Sequence, residues 1–266
     1  MMNSHLRNCI ILGSGRSGTS MAAGILGAAG YFMGDHVYPP NPTNPKGMFE
    51  DRDINALNED ILSIALPEGG EHPDVDHPRR WQRWLARIPL DADLSATGVI
   101  EEGISRLVIR EPFCFKDPRF SYSLPVWRPF LKDAVYVCVF RDPASTVESM
   151  LRQARKVRHL EGFQISAADA FAVWTMMYRH ILERHSRSGA WLFLDYESLL
   201  CSDGLQRLRG FTGACVDATF PERHLRHAYG HEITGIPEEA LDIHRRLCER
   251  AGRESRPGLS PPTSDD

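Results

Sequence analysis

The sequence predicts an α/β fold in which a central, mostly parallel sheet is flanked by helices in three layers. A glycine-rich stretch, Gly13 to Ser20, lies between a short apolar run and an alanine-rich segment, as expected for a strand, a phosphate-binding loop and a helix. A near-continuous apolar run, Ala134 to Phe140, is typical of a parallel strand buried on both faces. A second apolar run, Pro112 to Lys116, ends in a polar turn. Together these observations indicate a P-loop-type fold.

The length and composition fit one large domain that binds its ligands locally. The chain has 266 residues, of which 42% are hydrophobic, enough for a sizeable core. The 31 Lys+Arg and 35 Asp+Glu give a formal charge of -4, which argues against a general binder of nucleic-acid polymers or acidic membranes. We expect residues 1–252 to form one domain and residues 253–266, which end in a Pro/Ser/Asp-rich stretch, to be a disordered tail.

The cysteines and the apolar runs predict a soluble, cytoplasmic protein. No C-x-x-C pair occurs, and three cysteines lie in strand-like apolar runs, as expected for buried, reduced thiols. The cysteines are Cys9, Cys114, Cys138, Cys201, Cys215 and Cys248. The best apolar stretch, Met21 to Met33, is too short to span a bilayer and is interrupted by glycines.

The glycine-rich stretch has the glycine spacing of a Walker loop but lacks its lysine. Gly13 and Gly18 stand at the required separation, while Thr19 occupies the lysine position. The nearest cation is Arg16, whose planar guanidinium suits phosphate oxygens. The alternative is a turn that only lets a helix pack closely on a strand. The candidate anion-binding residues here are Gly15, Arg16, Ser17, Gly18, Thr19 and Ser20.

Two irregular segments follow this predicted strand–loop–helix unit. Residues 31–53 contain four prolines and are predicted to form a surface loop near the ligand, followed by a helix over residues 53–66. Residues 67–98 are predicted to form a cap or insertion, with one short amphipathic helix over residues 79–88. The first part of this segment contains the side chains of His72, Asp74, Asp76 and His77. Because no regular period fixes their geometry, we assign no metal to them.

Lys116 is predicted to lie at the carboxyl end of the second strand, which follows a helix over residues 100–110. In open α/β sheets this edge faces the ligand crevice, so Lys116 is a candidate functional residue. For Asp117 and Arg119 the sequence leaves two possibilities, a salt-bridged turn and direct contact with a ligand.

A second anion-binding position is predicted after the strand Ala134 to Phe140. Arg141 follows this strand, and Asp142 and Pro143 suit the cap and first turn of a helix. Ser149, two turns into that helix, is placed to address the same anion as Arg141. Ser149 shares one helix face with Ser145 and Arg152.

The remaining segments complete the predicted fold. A long helix over residues 167–185 carries an apolar and aromatic stripe that indicates core packing. A strand over residues 191–194 and helices over residues 199–211 and 238–251 follow. Basic residues after the second anion position are interpreted as a solvated face; they are Arg152, Arg155, Lys156 and Arg158.

These motifs, in this order, resemble those of the sulfotransferases that use 3′-phosphoadenosine 5′-phosphosulfate (PAPS). The resemblance rests on GSGRSGTS, KDPR and RDPASTVES, and two further segments, residues 44–50 and 196–200, resemble those of bacterial members. It implies that the first loop binds the 5′-phosphosulfate, with Arg16 near the bridging oxygen. It also implies that Arg141 and Ser149 bind the 3′-phosphate. The glycine-rich C-terminal nucleotide motif of cytosolic animal enzymes is not found, so the adenine contacts stay unassigned.

Similarity to the tyrosylprotein sulfotransferases implies the catalytic groups. Lys116 corresponds to a lysine that stabilises the transferring group, and Glu50 is the nearest equivalent of their catalytic base. Asp35 and His36, in the same loop, are the alternative bases. Such a reaction needs fixed cations and dipoles rather than bound magnesium, which agrees with a loop that lacks the Walker lysine.

Two other functions stay open at this stage. One is a kinase that uses ATP and magnesium, with Ser20 on the metal and Asp195 as the acidic residue of another strand. The other is a nucleotide-binding protein without catalysis. The acceptor of a sulfotransferase could be a sugar, a lipid head group, a phenol or a peptide tyrosine, and the sequence predicts no oligomeric state.

Overall fold

A parallel sheet forms the centre of the molecule. The structure, a computed structural model, describes residues 6–42, 44–221, 233 and 235–252. The strands are β1 (Cys9–Leu12), β2 (Cys114–Lys116), β3 (Val135–Phe140) and β4 (Ala190–Asp195). They lie in the order β2-β1-β3-β4, and every neighbouring pair is parallel. The predicted fold class is confirmed.

Helices cover both faces of this sheet. In chain order they are α1 (Thr19–Leu26), α2 (Arg52–Ser63), α3 (Gly98–Val108), α4 (Phe120–Trp127), α5 (Pro143–Lys156), α6 (Ala167–Glu183), α7 (Ser202–Thr212) and α8 (Glu238–Arg250). Helices α1 and α7 pack on one face, and α4, α5, α6 and α8 belong to the cluster on the other. The result is the predicted arrangement of three layers.

Alternation along the strands divides the core into these two faces. Ile10 and Leu12 of β1 point into the cluster that contains Trp174 of α6. Cys9 and Ile11 point into the opposite cluster, with the alanines and leucine of α1. All four residues of β1 are fully buried because both faces of a parallel sheet are covered.

The starts of α5 and α6 follow from their sequences. The Asp142 carboxylate accepts a hydrogen bond of 2.8 Å from the Ser145 N–H, and Pro143 is the first residue of α5, as predicted. At α6, Ser166 and Asp169 cap one another's backbone N–H groups in a reciprocal capping box. The predicted apolar stripe of α6 is confirmed as core, since its members are buried.

The predicted helix over residues 79–88 is wrong. Only Arg83–Leu85 forms a helical turn, of the 3-10 type. Trp81 has a left-handed backbone (φ 71°), which an α-helix does not accommodate, and Pro78 and Pro89 flank the segment. The apolar spacing instead serves a compact turn that buries Leu85, Ala86 and Ile88.

The segment before α2 is irregular, as predicted. Residues 31–53 form an irregular segment up to the start of α2, with isolated bridges such as Val37 to Asp51.

Cys201 and Cys215 are exposed, so the expectation that every cysteine is buried is wrong. Across the described ranges no helix has the length and apolar character of a membrane span. The predicted tail, residues 253–266, lies outside the described residues.

Candidate active site

The site lies where the sheet order reverses. The chain leaves β1 toward β2 on one side and leaves β3 toward β4 on the other, so the crevice between β1 and β3 is the topological switch point. The glycine-rich loop follows β1, and Arg141 follows β3, so both lie at this carboxyl edge. Lys116 is the last residue of β2 at the same edge.

Glycines allow the loop to turn tightly against its neighbours. Gly13 has φ 138°, and a Cβ there would fall 2.1 Å from the Val139 carbonyl oxygen of β3. Gly18 has φ 98°, and its Cβ would fall 2.5 Å from the Tyr196 ring. Only a residue without a side chain fits either place. Arg16 also has a positive φ, of 69°, and lies in the middle of the turn.

Gly18 begins α1 without a side-chain cap. In the part of the chain that the structure describes, no side chain bonds to the first N–H groups of this helix. These groups, on Thr19 and Ser20, have no partner within the helix and face the loop that precedes it. The helix N-terminus therefore offers the donors and the partial positive charge that bind phosphate or sulfate.

The hydroxyl of Tyr178 supports the loop from α6. It accepts a hydrogen bond from the Ser14 N–H (3.2 Å) and lies 2.9 Å from the Ser17 hydroxyl and 2.8 Å from the Val139 carbonyl oxygen. Burial raises the pKa of this hydroxyl well above its ordinary value, so it stays protonated. The sequence predicts Tyr178 only as a core residue, although a tyrosine in an apolar stripe also indicates a hydroxyl that needs hydrogen-bond partners.

The structure brings the two predicted anion-binding positions together. Arg16 Nε donates to the Ser149 hydroxyl at 3.0 Å, so the glycine-rich loop, residues 13–20, which we also call the phosphate loop, contacts α5 directly. The Arg141 guanidinium lies 4.5 Å from the centre of the Tyr196 ring, and the same ring packs against Gly18. Arg141 and Ser149 therefore both lie beside the loop.

The structure also joins the predicted catalytic groups. Lys116 Nζ donates to the Ser20 hydroxyl at 3.3 Å and forms a short ion pair with Glu50. The Lys116 side chain is 2% exposed and the Glu50 side chain is 14% exposed. A nearly buried cation thus contacts both the loop and a carboxylate that stays accessible from outside.

Local backbone structure fixes the position of Glu50. The Tyr38 N–H donates to the Glu50 carbonyl at 2.9 Å, which joins Glu50 to an earlier part of the same irregular segment. The next residue, Asp51, is buried and caps α2 by accepting from the Asp53 and Ile54 N–H groups. The other Asp51 carboxylate oxygen accepts from the His36 N–H at 2.6 Å.

The two alternative bases lie in other surroundings. Asp35 is 58% exposed and pairs with Arg110, and His36 is 63% exposed and pairs with Asp53. The hydrogen bond that the His36 ring donates to the Asp53 carboxylate raises the pKa of His36. Neither residue has a bond to Lys116 or to the loop among the described residues.

Asp117 and Arg119 form the buried, salt-bridged turn that the sequence analysis considered. The Arg119 guanidinium donates to Asp117 at 3.1 Å and to Glu59 at 2.6 Å. Asp117 also accepts from the side-chain amides of Asn55 and Asn58. Of the two possibilities for this pair, the salt-bridged turn is the one found.

Residues with metal-ligand chemistry are bonded within the protein. Asp76 accepts two bonds from Arg87, and Asp74 accepts from the backbone N–H of His77. A second group, His36, Asp51 and Asp53, brings three possible ligand atoms within 4.8 Å of one another. Its members already serve as the cap of α2 and as an ion pair, so their arrangement is explained without an ion.

The 3-10 turn of the 67–98 segment reaches the phosphate loop. A Cβ at Gly15 would fall 2.5 Å from the Trp84 ring, so the indole lies directly against the loop. This contact brings part of the predicted cap or insertion against the loop. Sequence reasoning did not select Trp84, because one aromatic residue in a short amphipathic stretch carries no sign of where it packs.

The fold and its loop define an α/β protein of the phosphate-loop type, and comparison with known proteins gives the family. The chain belongs to the sulfotransferase family, whose family model matches residues 9–204. This range includes the glycine-rich loop, Lys116, Arg141 and Ser149. No curated protein matches the chain.

Solved structures of bacterial sulfotransferases resemble the chain at low identity. One is the sulfotransferase domain of the Synechococcus PCC 7002 olefin synthase, with 16% identity, a TM-score of 0.49, and coverage of 93% of this chain and 98% of that one. A second is sulfotransferase STF9 from Mycobacterium avium, with 16% identity, a TM-score of 0.48, and coverage of 92% and 75%. A third is sulfotransferase STF1 from Mycobacterium tuberculosis H37Rv, with 14% identity, a TM-score of 0.45, and coverage of 92% and 76%.

Proposed function

We propose that the protein transfers a sulfuryl group from PAPS to a hydroxyl or amine of an acceptor, leaving 3′,5′-ADP. The observation that carries this proposal is the contact of Lys116 with both Glu50 and Ser20 beside the phosphate loop. A cation, a base and a loop hydroxyl thus meet at one point, where a transferring group would need all three.

The residues beside the loop suit the two ends of the donor. Backbone and hydroxyl groups from Gly15 to Ser20 would hold the 5′-phosphosulfate at the N-terminus of α1. Arg141 and Ser149 would hold the 3′-phosphate. The hydrogen bond between Arg16 and Ser149 supports this division, because a residue of each proposed anion-binding position takes part in it.

The proposed reaction is an in-line displacement at sulfur. Glu50 takes the proton of the acceptor hydroxyl or amine as the acceptor forms its bond to sulfur. The bond from sulfur to the bridging 5′-phosphate oxygen breaks, and its electron pair stays with 3′,5′-ADP. Lys116 and Arg16 stabilise the negative charge on the equatorial and bridging oxygens.

The contacts of Ser20 and Lys116 argue against the alternative functions. A kinase would use the Ser20 hydroxyl as a magnesium ligand, but this hydroxyl receives a hydrogen bond from the Lys116 ammonium. The position of the Walker lysine holds Thr19. A protein that only binds nucleotide would not need Glu50 and Lys116 to meet beside the loop.

Calorimetry tests the choice of nucleotide. We expect tight binding of 3′,5′-ADP that does not depend on magnesium, and weak binding of ATP with or without it. Tight, magnesium-dependent binding of ATP alone would instead favour the kinase. A product assay with labelled PAPS separates catalysis from binding without catalysis.

Replacing the proposed base tests the mechanism. We expect Glu50→Gln to lower turnover by about a hundredfold to ten-thousandfold, the usual range for general acid–base catalysis, with unchanged 3′,5′-ADP affinity. The controls are Asp35→Asn and His36→Gln, which should retain turnover. If one of these controls stops the reaction and Glu50→Gln does not, the base has been misassigned.

The acceptor, the location and the domain extent complete the proposal. A small molecule, glycan, lipid or peptide acceptor agrees with the site, and labelled PAPS added to extracts of the native cell would identify it by the labelled product. We place the reaction in the cytoplasm, where the six free cysteines would stay reduced. We also propose that residues 1–252 act as one domain.

A further inference from the structure

Four buried, charged side chains close to the proposed site are joined by ion pairs. They are Asp117, Arg119, Glu59 and Arg83, and we call them the ion-pair chain. Arg119 donates to Asp117 and to Glu59, and the other Glu59 carboxylate oxygen accepts from Arg83 at 2.9 Å. All four side chains are at most 4% exposed.

Stability alone does not explain this arrangement. Burying a charge is costly, and replacing buried ion pairs with apolar residues of similar volume is often neutral or stabilising. Arg83 adds to the cost because its Nε, within the described part of the chain, is buried without a hydrogen-bond partner. What the chain of pairs does provide is a fixed geometry between the elements that it joins.

Those elements carry the parts of the proposed site. Glu59 lies in α2, which begins two residues after Glu50. Asp117 directly follows Lys116 at the end of β2. Arg83 is the first residue of the 3-10 turn Arg83–Leu85. The second residue of this turn, Trp84, packs against Gly15 of the glycine-rich loop.

We propose that Arg83 is a positioning residue that holds the Trp84 indole over the phosphate loop. This inference rests on the proposed function and extends it. Trp84 is partly buried against the core, and its ring covers the Gly15 side of the loop. Such a cover excludes water from the transferring group until an acceptor enters.

The side reaction that this cover suppresses is hydrolysis of the donor. In that reaction a water oxygen forms the bond to sulfur and the bond to the bridging phosphate oxygen breaks. The products are 3′,5′-ADP, sulfate and a proton. A displaced indole admits water, so loss of positioning raises this rate in the absence of acceptor.

Two arginines of the 67–98 segment, Arg83 and Arg80, provide a matched pair of variants for the test. Arg83→Met removes the buried pair with Glu59 and a second pair with the exposed Glu68. Arg80→Met removes an exposed pair with Asp60, in the same segment and to the same helix as the Glu59 pair. Trp84→Ala removes the cover itself. The two measurements are 3′,5′-ADP affinity by calorimetry and release of labelled sulfate from PAPS without acceptor.

We expect Arg83→Met and Trp84→Ala to release sulfate roughly tenfold faster than the unaltered protein, as a loosened site admits water. Their 3′,5′-ADP affinity should stay within about threefold, because neither side chain belongs to the anion-binding positions, and a purely structural role would not produce this split. Arg80→Met should match the unaltered protein. If Arg83→Met does not fold, Arg83→Lys, which keeps the charge but not the planar fork, replaces it and should show a smaller rise.

Sulfate release that stays unchanged or falls in the Arg83 and Trp84 variants would overturn the inference. An equal rise in Arg80→Met would also overturn it, since the effect would then belong to the whole segment. Failure of the unaltered protein to bind 3′,5′-ADP would instead count against the proposed function.

Discussion

The Tyr178 hydroxyl contacts the glycine-rich loop at two of its residues, Ser14 and Ser17. It meets the Ser14 N–H, the Ser17 hydroxyl and the Val139 carbonyl oxygen in a fully buried space. We expect Tyr178→Phe to destabilise the protein by about 1–3 kcal/mol, because buried polar groups lose their partner. It should also weaken 3′,5′-ADP binding, measured by calorimetry, because the loop loses its support.

Tyr31→Phe is the control for this prediction. Its hydroxyl is also buried and donates to the Thr212 carbonyl at 3.2 Å, on the opposite face of the sheet from Tyr178. This variant should lose stability in urea denaturation without a change in 3′,5′-ADP affinity. If both variants weaken nucleotide binding equally, the effect does not come from the loop.

Single residues also mark the limit of what the sequence predicts about the site. The positions of Arg16, Lys116 and Arg141 at one sheet edge follow from strands that end beside them. The side-chain bonds that these residues make do not follow from the strands, because Lys116 and Glu50 are 66 residues apart and meet only through tertiary packing. The contact between Trp84 and Gly15 has no local signal at all.

At the scale of elements, the strongly patterned segments were predictable. The strand β3 is bounded by Arg141-Asp-Pro and consists of apolar residues, and α5 has its cap and first-turn proline in sequence. The prediction of a helix over residues 79–88 was wrong, because the same apolar spacing also fits a short turn in which Trp81 has a left-handed backbone. A local pattern predicts an element where tertiary contacts agree with it, and here the segment instead buries Leu85, Ala86 and Ile88 in a compact turn.

Two glycines of α7 test how packing controls one helix. Gly210 has open space where a Cβ would lie, whereas a Cβ at Gly204 would fall 2.1 Å from the Ser198 carbonyl oxygen. We expect Gly210→Ala to stabilise the protein by about 0.5–1 kcal/mol through its higher helix propensity. Gly204→Ala should destabilise it, because the backbone of the 3-10 turn that precedes α7, Tyr196–Leu200, must move. Urea denaturation of both variants provides the measurement, and equal effects would contradict the role assigned to packing.

At the scale of the whole molecule, we expect the buried His185 and His180 to make stability depend on pH. Burial lowers the pKa of His185 to about 3 and also lowers the pKa of His180. Each ring nitrogen Nε2 lies 3.0 Å from a backbone carbonyl, of Ser121 for His185 and of Ile88 for His180. Arg184 and Arg128 add positive charge near His185, which further disfavours its protonated form.

The sign of this effect follows from proton binding. Between pH 6.5 and about 3 the unfolded chain binds a proton at His185 that the folded protein does not. The contribution of His185 to the free energy of unfolding is therefore fully present above pH 6.5 and decreases as the pH falls below 6.5. We expect His185 alone to contribute a loss of about 2 kcal/mol between pH 7 and pH 5. Urea denaturation at the two pH values measures this loss.

Comparison of two variants assigns the loss to His185. His185→Gln should reduce the difference in stability between pH 7 and pH 5. His36→Gln should not reduce it, because Asp53 raises the pKa of His36 and its contribution is present at low pH and lost as the pH rises. An unchanged pH dependence in His185→Gln would show that other groups cause the loss.

The ion pair between Lys116 and Glu50 has a consequence for the timing of charge during a turnover. While Glu50 is ionised, its carboxylate offsets the Lys116 ammonium. In the proposed reaction, proton capture by Glu50 would neutralise that carboxylate, so the ammonium would gain its full electrostatic effect just as negative charge appears on the departing nucleotide. Deprotonation of the acceptor and expulsion of the nucleotide would therefore be concerted, and turnover in heavy water would be slowed by a solvent isotope effect that disappears in Glu50→Gln.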